Sequence, residues 1–130
     1  MSPSRLIVLL SISFSAQAQD FGQRMEAGKP VNLAANEQRY NQSVSMAIRG
    51  AFNFSKCWPS AQDGERIDLK IVGDAIVSVG LPATGHLENI VAEPDSPVAR
   101  CYLEKIERIT LPPPPRSPLP FASIFAIIKN

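Results

Sequence analysis

The chain has 130 residues, with 13 basic and 12 acidic side chains, and 45% of its residues are hydrophobic. A chain of this length is expected to fold as one small domain with a modest core. The near balance of charge argues against a nucleic-acid-binding protein, because phosphate recognition needs a basic excess on one surface. The hydrophobic fraction argues against wholesale disorder.

Residues 1–18 have the three parts of a secretory signal peptide. Arg5 provides the positive start, residues 6–14 the apolar stretch, and Ala16 and Ala18 the small residues before a cleavage site. An uncleaved membrane anchor is the alternative, but serines interrupt the apolar run, which is shorter than the roughly 20 residues that span a bilayer. We expect cleavage before Gln19 and an exported chain with no membrane span, in which 12 basic and 12 acidic side chains remain.

The chain contains two cysteines, Cys57 and Cys101. In a small exported domain an even number of cysteines favours a disulfide, whereas the same pair in the cytosol would more often be reduced. Their spacing excludes a redox CxxC pair, and two cysteines with the single His86 are too few for a structural zinc site. The sequence predicts a Cys57–Cys101 bridge, with no metal and no other cofactor.

The chain changes character near residue 41. Residues 19–40 are polar and show no sustained period, so we interpret them as a flexible lead-in that adds little to the core. The folded domain is then expected to span residues 41–130. Its first helix begins at Asn41 or Ser43 and ends at Trp58-Pro59, because a residue before proline disfavours the helical region. Helical spacing places these apolar residues on one stripe: Val44, Ala47, Ile48, Ala51 and Phe52.

A period of two follows and indicates strands. Ile67, Leu69 and Ile71 alternate with charged residues, which is typical of a strand with one face on a core. The pair Gly73-Asp74 suits a tight hairpin turn, since glycine accepts the positive φ that such turns require. The pattern therefore predicts a turn at residues 73–74, a return strand over residues 75–81 and a loop over residues 82–94.

Three more segments complete the chain. Ser96-Pro97 is a strong helix start, and an apolar stripe through Cys101 and Tyr102 continues to residue 109. Residues 111–120 contain six prolines, which favours a stiff spacer over a ligand for an aromatic groove. Residues 121–128 form an apolar last strand, expected at a sheet edge. The fold class predicted is α+β with the order αββαβ, a three-stranded antiparallel sheet and two helices packed on one face.

This order of elements resembles the C-terminal domain of the TolA and TonB family of envelope energy transducers, over roughly residues 41–129. The resemblance is carried by Cys57-Trp58-Pro59 after a first helix, the strands with their Gly73-Asp74 turn, the helix around Cys101-Tyr102, the Leu-Pro-Pro-Pro segment from residue 111 and the terminal strand. Family members usually follow a transmembrane helix and a long spacer. A cleavable signal and about twenty polar residues stand in their place here, which predicts a free-standing domain.

What the resemblance implies is a periplasmic interaction module, connected with envelope transport, that recruits partners by adding a strand to its last strand. The partner would be an envelope protein or a peptide segment of an outer-membrane receptor. The residues expected to contribute are Phe121, Ser123, Ile124, Phe125 and Ile127. Two alternatives remain: a buried or self-pairing terminal strand that forms a homodimer, and a small exported structural or inhibitory protein with the same fold and no role in energy transduction.

No constellation of residues predicts an enzyme. His86 is the only imidazole and is expected in a loop, where a lone histidine is more often solvated than catalytic. Asp63 and Glu65 are typical of a solvated turn, and Trp58 is expected in the core. Binding is therefore the function class that the sequence favours.

Overall fold

The structure is a computed structural model that describes residues 20–53, 57 and 66–128. Strands β1 (Arg66–Ser78), β2 (Thr84–Glu93) and β3 (Leu119–Ile128) form one antiparallel sheet in the order β2-β1-β3. The helices are α1 (Phe21–Ala27), α2 (Ala35–Asn53) and α3 (Pro97–Glu107), with a 3-10 turn at Pro30–Asn32. The predicted signal peptide and Trp58 lie outside the described residues.

Helices α2 and α3 pack together on one face of the sheet. The ring of Phe52 in α2 lies 4.4 Å from the ring of Tyr102 in α3 and 5.3 Å from the ring of Phe125 in β3, measured between centroids. Alternate residues of all three strands point into this layer, because side chains along a strand alternate between faces. The predicted α+β class with a three-stranded antiparallel sheet is confirmed, and the predicted order αββαβ follows one additional helix, α1. The buried residues shared by the sheet and these helices include Val44, Ile48, Leu69, Ile71, Leu87, Ile106, Phe121 and Phe125.

The disulfide predicted between Cys57 and Cys101 is present. Cys57 follows α2 and Cys101 lies in α3, with 5.6 Å between their Cα atoms. Cys57 is 3% exposed. The bridge therefore joins the segment after α2 to α3 within the helical layer.

The segment before residue 41 is part of the fold, so the prediction that it adds little to the core is wrong. Asp20 caps α1, and its side chain and that of Gln23 accept hydrogen bonds from each other's backbone N–H. Leu33 and Tyr40 are buried in the core. Helix α2 begins at Ala35, ahead of the predicted caps Asn41 and Ser43, and the Glu37 side chain accepts the Ala34 N–H at its start.

Helix α1 lies on the opposite face of the sheet from α2 and α3. Gly28, which ends α1, packs against Ala122 of β3, and the Arg24 guanidinium lies 3.8 Å from Asp74 of β1. Val72 pairs with Ala122 and is fully buried, although it is not part of the main core. The sheet therefore has helices on both faces.

The predicted hairpin turn at Gly73-Asp74 is wrong, because β1 continues through both residues. Gly73 pairs with Phe121 of β3 and stands opposite a bulge in β2, where Asn89 has a φ of 52°. Asparagine tolerates this left-handed conformation better than most residues. The chain reverses between residues 79 and 83 instead, and residues 84–93, predicted as a loop, form β2.

The proline-rich connector runs from the outer edge of β2 past helix α2 to β3. Leu111 forms a bridge with Gly85 of β2, and the Tyr40 hydroxyl of α2 donates to the Pro112 carbonyl at 2.8 Å. Further along, Arg116 Nε donates to Glu37 Oε2 at 2.7 Å. Strand β3 then begins at Leu119, two residues before its predicted start. This course agrees with the prediction that the segment is a spacer.

Within the described ranges, no helix combines the length and apolar character that crossing a membrane requires.

Candidate strand-docking edge

The sheet has two edge strands, and the outer edge of β2 is engaged at two points. Gly85 N–H donates to the Leu111 carbonyl at 2.7 Å, and Leu111 N–H donates back to Gly85 at 2.8 Å. Arg24 Nη2 of α1 donates to the Asn89 carbonyl at the bulge at 2.5 Å. The backbone of β2 is thus engaged both at the start of the strand and at its bulge.

The alternation of hydrogen bonds shows which backbone groups of β3 face outward. Val77 N–H in β1 donates to Ser117 Oγ, just before β3, at 3.0 Å, so the odd-numbered residues of β1 point toward β3. The register pairs odd residues of β1 with odd residues of β3. The N–H and C=O of one residue point to the same side of an antiparallel strand. The even-numbered residues of β3 therefore point away from the sheet.

Two contacts agree with this assignment and also cover the first half of the edge. Asn41 Nδ2 of α2 donates to the Pro120 carbonyl at 3.1 Å. Because proline has no backbone N–H, Pro120 leaves no unpaired donor at this edge. A Cβ placed on Gly28 would lie 2.7 Å from Ala122 N, so α1 closes against that residue. The outer edge of β3 is covered as far as residue 122.

The second half of β3, residues 124–128, is called the free edge below. Its outward backbone groups belong to Ile124, Ala126 and Ile128. In the part of the chain that the structure describes, no other backbone pairs with these residues on that side. The free edge is long enough for a short extended segment to form alternating N–H and C=O bonds with β3.

The predicted partner-binding residues all lie on β3, but they face different ways. Phe121 and Phe125 are 1% and 2% exposed, so these two side chains belong to the core and offer a partner no contact surface. Ser123 and Ile127 are half-buried on the same helix-covered face. Only Ile124 combines an outward backbone with an exposed side chain, which is 55% exposed.

Sequence reasoning missed Ala126, Ile128 and Arg49. The signal for the first two was available, because the period of two places Ile124, Ala126 and Ile128 on one face once Phe121 and Phe125 are assigned to the core. Arg49 of α2 could not be found this way, since its position beside β3 depends on how the helix packs. Its guanidinium carbon lies 5.9 Å from the centroid of the Phe125 ring.

Among the described residues around the free edge, Arg49, Lys70 and Arg66 are basic and Asp68 is acidic. Strand β3 itself has no charged residue. Arg49 is exposed on the helix side, and among the described residues no carboxylate forms an ion pair with it. On the other face Lys70 of β1 stands directly across from Ile124, while Arg66 and Asp68 pair with each other at 3.0 Å.

His86 lies in β2 and not in the predicted loop. Its Nδ1 lies 2.5 Å from Ser78 Oγ, and its Nε2 lies 2.8 Å from Glu88 Oε2. Both ring nitrogens are therefore engaged by neighbours on the face of the sheet opposite α2 and α3. Within the described ranges, no three side chains of the metal-binding types form a cluster. Asp63 and Glu65 lie outside the described residues.

Comparison with known proteins found no matching family model, curated protein or solved structure. The resemblance to the TolA and TonB domains stays a prediction that rests on the order of elements and the residues quoted for it. One of those features, the Gly73-Asp74 turn, is not a turn in the structure.

Proposed function

We propose that this chain is an interaction module of the bacterial cell envelope, which binds an extended segment of a partner protein by strand addition at the free edge. The observation that carries this proposal is the row of outward backbone groups at residues 124–128. An unpaired strand edge is a template for another strand: backbone hydrogen bonds provide affinity, and alternating side chains provide specificity.

The free edge lacks the features that usually keep a strand from pairing with other chains. Proteins protect exposed edges with charged side chains, prolines, bulges or a covering segment. Residues 124–128 contain no charge and no proline, and their register with β1 is regular. The contrast with β2, whose edge is bridged by Leu111, favours β3 as the docking strand.

The compartment is the second part of the proposal. A structural disulfide in a small domain supports an oxidising environment, and the predicted signal peptide would deliver the chain there. In line with the TolA and TonB resemblance, we assign the protein to the periplasm, with an envelope protein or an outer-membrane receptor segment as its partner and a connection with envelope transport.

The test uses a proline that removes one outward N–H and leaves the ladder with β1 intact. Ile124→Pro does this at the centre of the free edge, and Ala126→Pro does it two residues further along. Ile124→Ala is the matched control, because it shortens the same side chain but keeps the N–H. Circular dichroism and thermal unfolding of each variant check that the fold is retained.

The binding experiment starts from the oxidised mature chain beginning at Gln19. A partner captured from an envelope extract is identified, purified and titrated against each variant. The proposal predicts at least a tenfold loss of affinity for both proline variants and less than a threefold change for Ile124→Ala, since lost backbone bonds leave partner groups unpaired.

Equal affinity for folded proline variants and the unaltered chain would overturn strand addition at this edge. Light scattering tests the alternative that the free edge pairs with a second copy of the chain. A concentration-dependent dimer that Ile124→Pro dissociates would show this self-pairing. A monomer that captures no envelope protein would favour a self-contained structural protein instead.

A further inference from the structure

We infer that the partner segment is acidic at one defined position, with aliphatic residues on both sides of it. This inference rests on strand addition at the free edge and names the chemistry that the edge selects. It follows from the position of Arg49 beside β3 and from the exposed side chains of Ile124 and Ile128.

The helix side of the free edge has a basic group within reach of an added strand. Such a strand would run 4.7–4.9 Å from β3, and its residue opposite Phe125 would point its side chain toward α2. The Arg49 guanidinium already lies over the Phe125 ring, 5.9 Å from its centroid. A carboxylate at that one position would therefore meet Arg49 at the rim of the helical layer.

The neighbouring charges favour the same choice. Two carboxylates on this side of the described part of the chain are already engaged: Asp68, across from Ala126, by Arg66, and Glu26 of α1 by Lys29. Lys70 stands one strand behind Ile124 on the opposite face, roughly 10 Å from an added strand, which is about one Debye length at physiological salt. Among the described residues, Arg49 attracts an acidic segment on the helix side, and Lys70 adds a weaker, partly screened attraction on the other face.

The face of the sheet opposite α2 and α3 determines which partner residues are favoured on either side of the acidic residue. The partner residues beside Ile124 and Ala126 would point away from α2 and α3, next to the Ile124 side chain, which is 55% exposed. Ile128, 53% exposed, continues the same apolar row. Aliphatic or β-branched partner residues would cover these side chains as a cross-strand pair does within a sheet. The free edge therefore selects a partner segment with three consecutive residues of the types aliphatic, acidic and aliphatic.

The experiment uses three labelled peptides in which valine alternates with threonine around one central residue. That residue is Glu, Gln or Lys, and binding is followed by fluorescence anisotropy at low salt. The proteins are the oxidised chain, Arg49→Glu and Ile124→Pro. Arg100→Glu is the matched control, because it makes the same charge change on an exposed arginine of α3, the helix that packs on β2.

We expect the Glu peptide to bind the unaltered chain two- to fivefold tighter than the Gln peptide, and the Lys peptide to bind more weakly than both. This is the range for an exposed ion pair. Arg49→Glu should reverse the order of the Glu and Lys peptides, while Arg100→Glu should keep it. Raising the salt concentration should reduce the preference.

Two failures are distinguishable. If all three peptides bind equally and Ile124→Pro abolishes their binding, strand addition stands and the acidic preference is wrong. If binding is unaffected by Ile124→Pro, or no peptide binds the folded chain, strand addition at this edge fails and the acidic preference is overturned with it.

Discussion

The two edges of this sheet belong to strands of the same length but are treated differently by the rest of the chain. The edge of β2 contains His86, Glu88 and Glu93, yet it is also bridged by Leu111. The second half of β3 has no charge, and no other backbone of the described residues pairs with its outer side. Composition alone would leave the charged edge open and cover the apolar one, since exposed apolar edges invite pairing with other chains. The reversed arrangement is the one that the proposed strand addition at β3 requires.

The connector is the physical cause of the difference. It leaves α3, bonds to the edge of β2 through Leu111, and is then attached to α2 by Tyr40 and Glu37 before it enters β3. The connector therefore bonds to the outer edge of β2 before it continues into β3. Helix α1 and Asn41 cover only the first half of β3.

The largest expected effect comes from the disulfide, because it fixes the helical layer that borders the free edge. Replacing both cysteines, Cys57→Ser with Cys101→Ser, releases a loop whose ends are 44 residues apart. We expect the free energy of unfolding to fall by about 3 to 4 kcal/mol, which chemical denaturation would measure. A loss below about 1 kcal/mol would show that α2 and α3 are held together without the bridge.

Gly85→Ala would disturb the contact between β2 and the connector while leaving the disulfide in place. The added methyl group would lie 2.5 Å from the Pro112 carbonyl oxygen and 3.0 Å from the Tyr40 hydroxyl, so the connector must move. We expect the free energy of unfolding to fall by about 1 to 3 kcal/mol and the backbone amide of residue 85 to exchange faster.

Gly50→Ala is the control for that substitution. Apart from the adjoining turns of α2 itself, no atom of the described residues lies within 4 Å of a Cβ at Gly50, so alanine should stabilise α2 by up to about 1 kcal/mol. If the two variants changed stability equally, the close contact between β2 and the connector would not exist.

The smallest effect is pH dependence at the attachment of the connector to α2. The hydrogen bond from Ala34 N–H, and then the Arg116 guanidinium, lower the pKa of Glu37 below its ordinary value of 4.5. A carboxylate with a lowered pKa in the folded state stabilises the fold above its unfolded pKa. That contribution is lost as the pH falls through the folded pKa.

The comparison variant is Glu37→Gln. The difference in unfolding free energy between it and the unaltered chain should be constant above about pH 5.5 and should shrink as the pH falls below about 4.5. Thermal unfolding across this range would measure it. A difference that stays constant down to pH 3 would contradict the role of the Glu37 carboxylate.

The order of elements was predictable from the residues, but the position of the hairpin was not recognised. A two-residue turn at Gly73-Asp74 would pair Leu69 with Ser78 on the core face. The apolar residues instead keep the same parity from Ile67 through Ile71 to Ala75 and Val77, which is the pattern of one continuous strand. The turn prediction at Gly73 is wrong because this glycine lies within a continuous strand, opposite the bulge at Asn89.

Local capping signals were present but not used at the N-terminal end. Asp20 and Gln23 stand three residues apart, as a capping box requires, and Glu37 stands three residues after Ala34. What no local pattern contains is the packing of α1 onto Ala122, or the placement of Arg49 over Phe125. Both depend on contacts between distant segments, and they determine how much of the edge is free and what charge surrounds it.

The difference between the two sheet edges is that, among the described residues, no backbone pairs with the outer side of β3 from residue 124 onward, whereas the outer side of β2 is bonded at Gly85 and at Asn89. Amide hydrogen exchange, resolved by residue in the isolated monomer, tests it most directly. We expect fast exchange at Ile124 and Ala126, and slow exchange at Ser123, Phe125 and Gly85. Equal protection at Ile124 and Phe125 in the monomer would show that the edge of β3 is already covered, and strand addition there would be excluded.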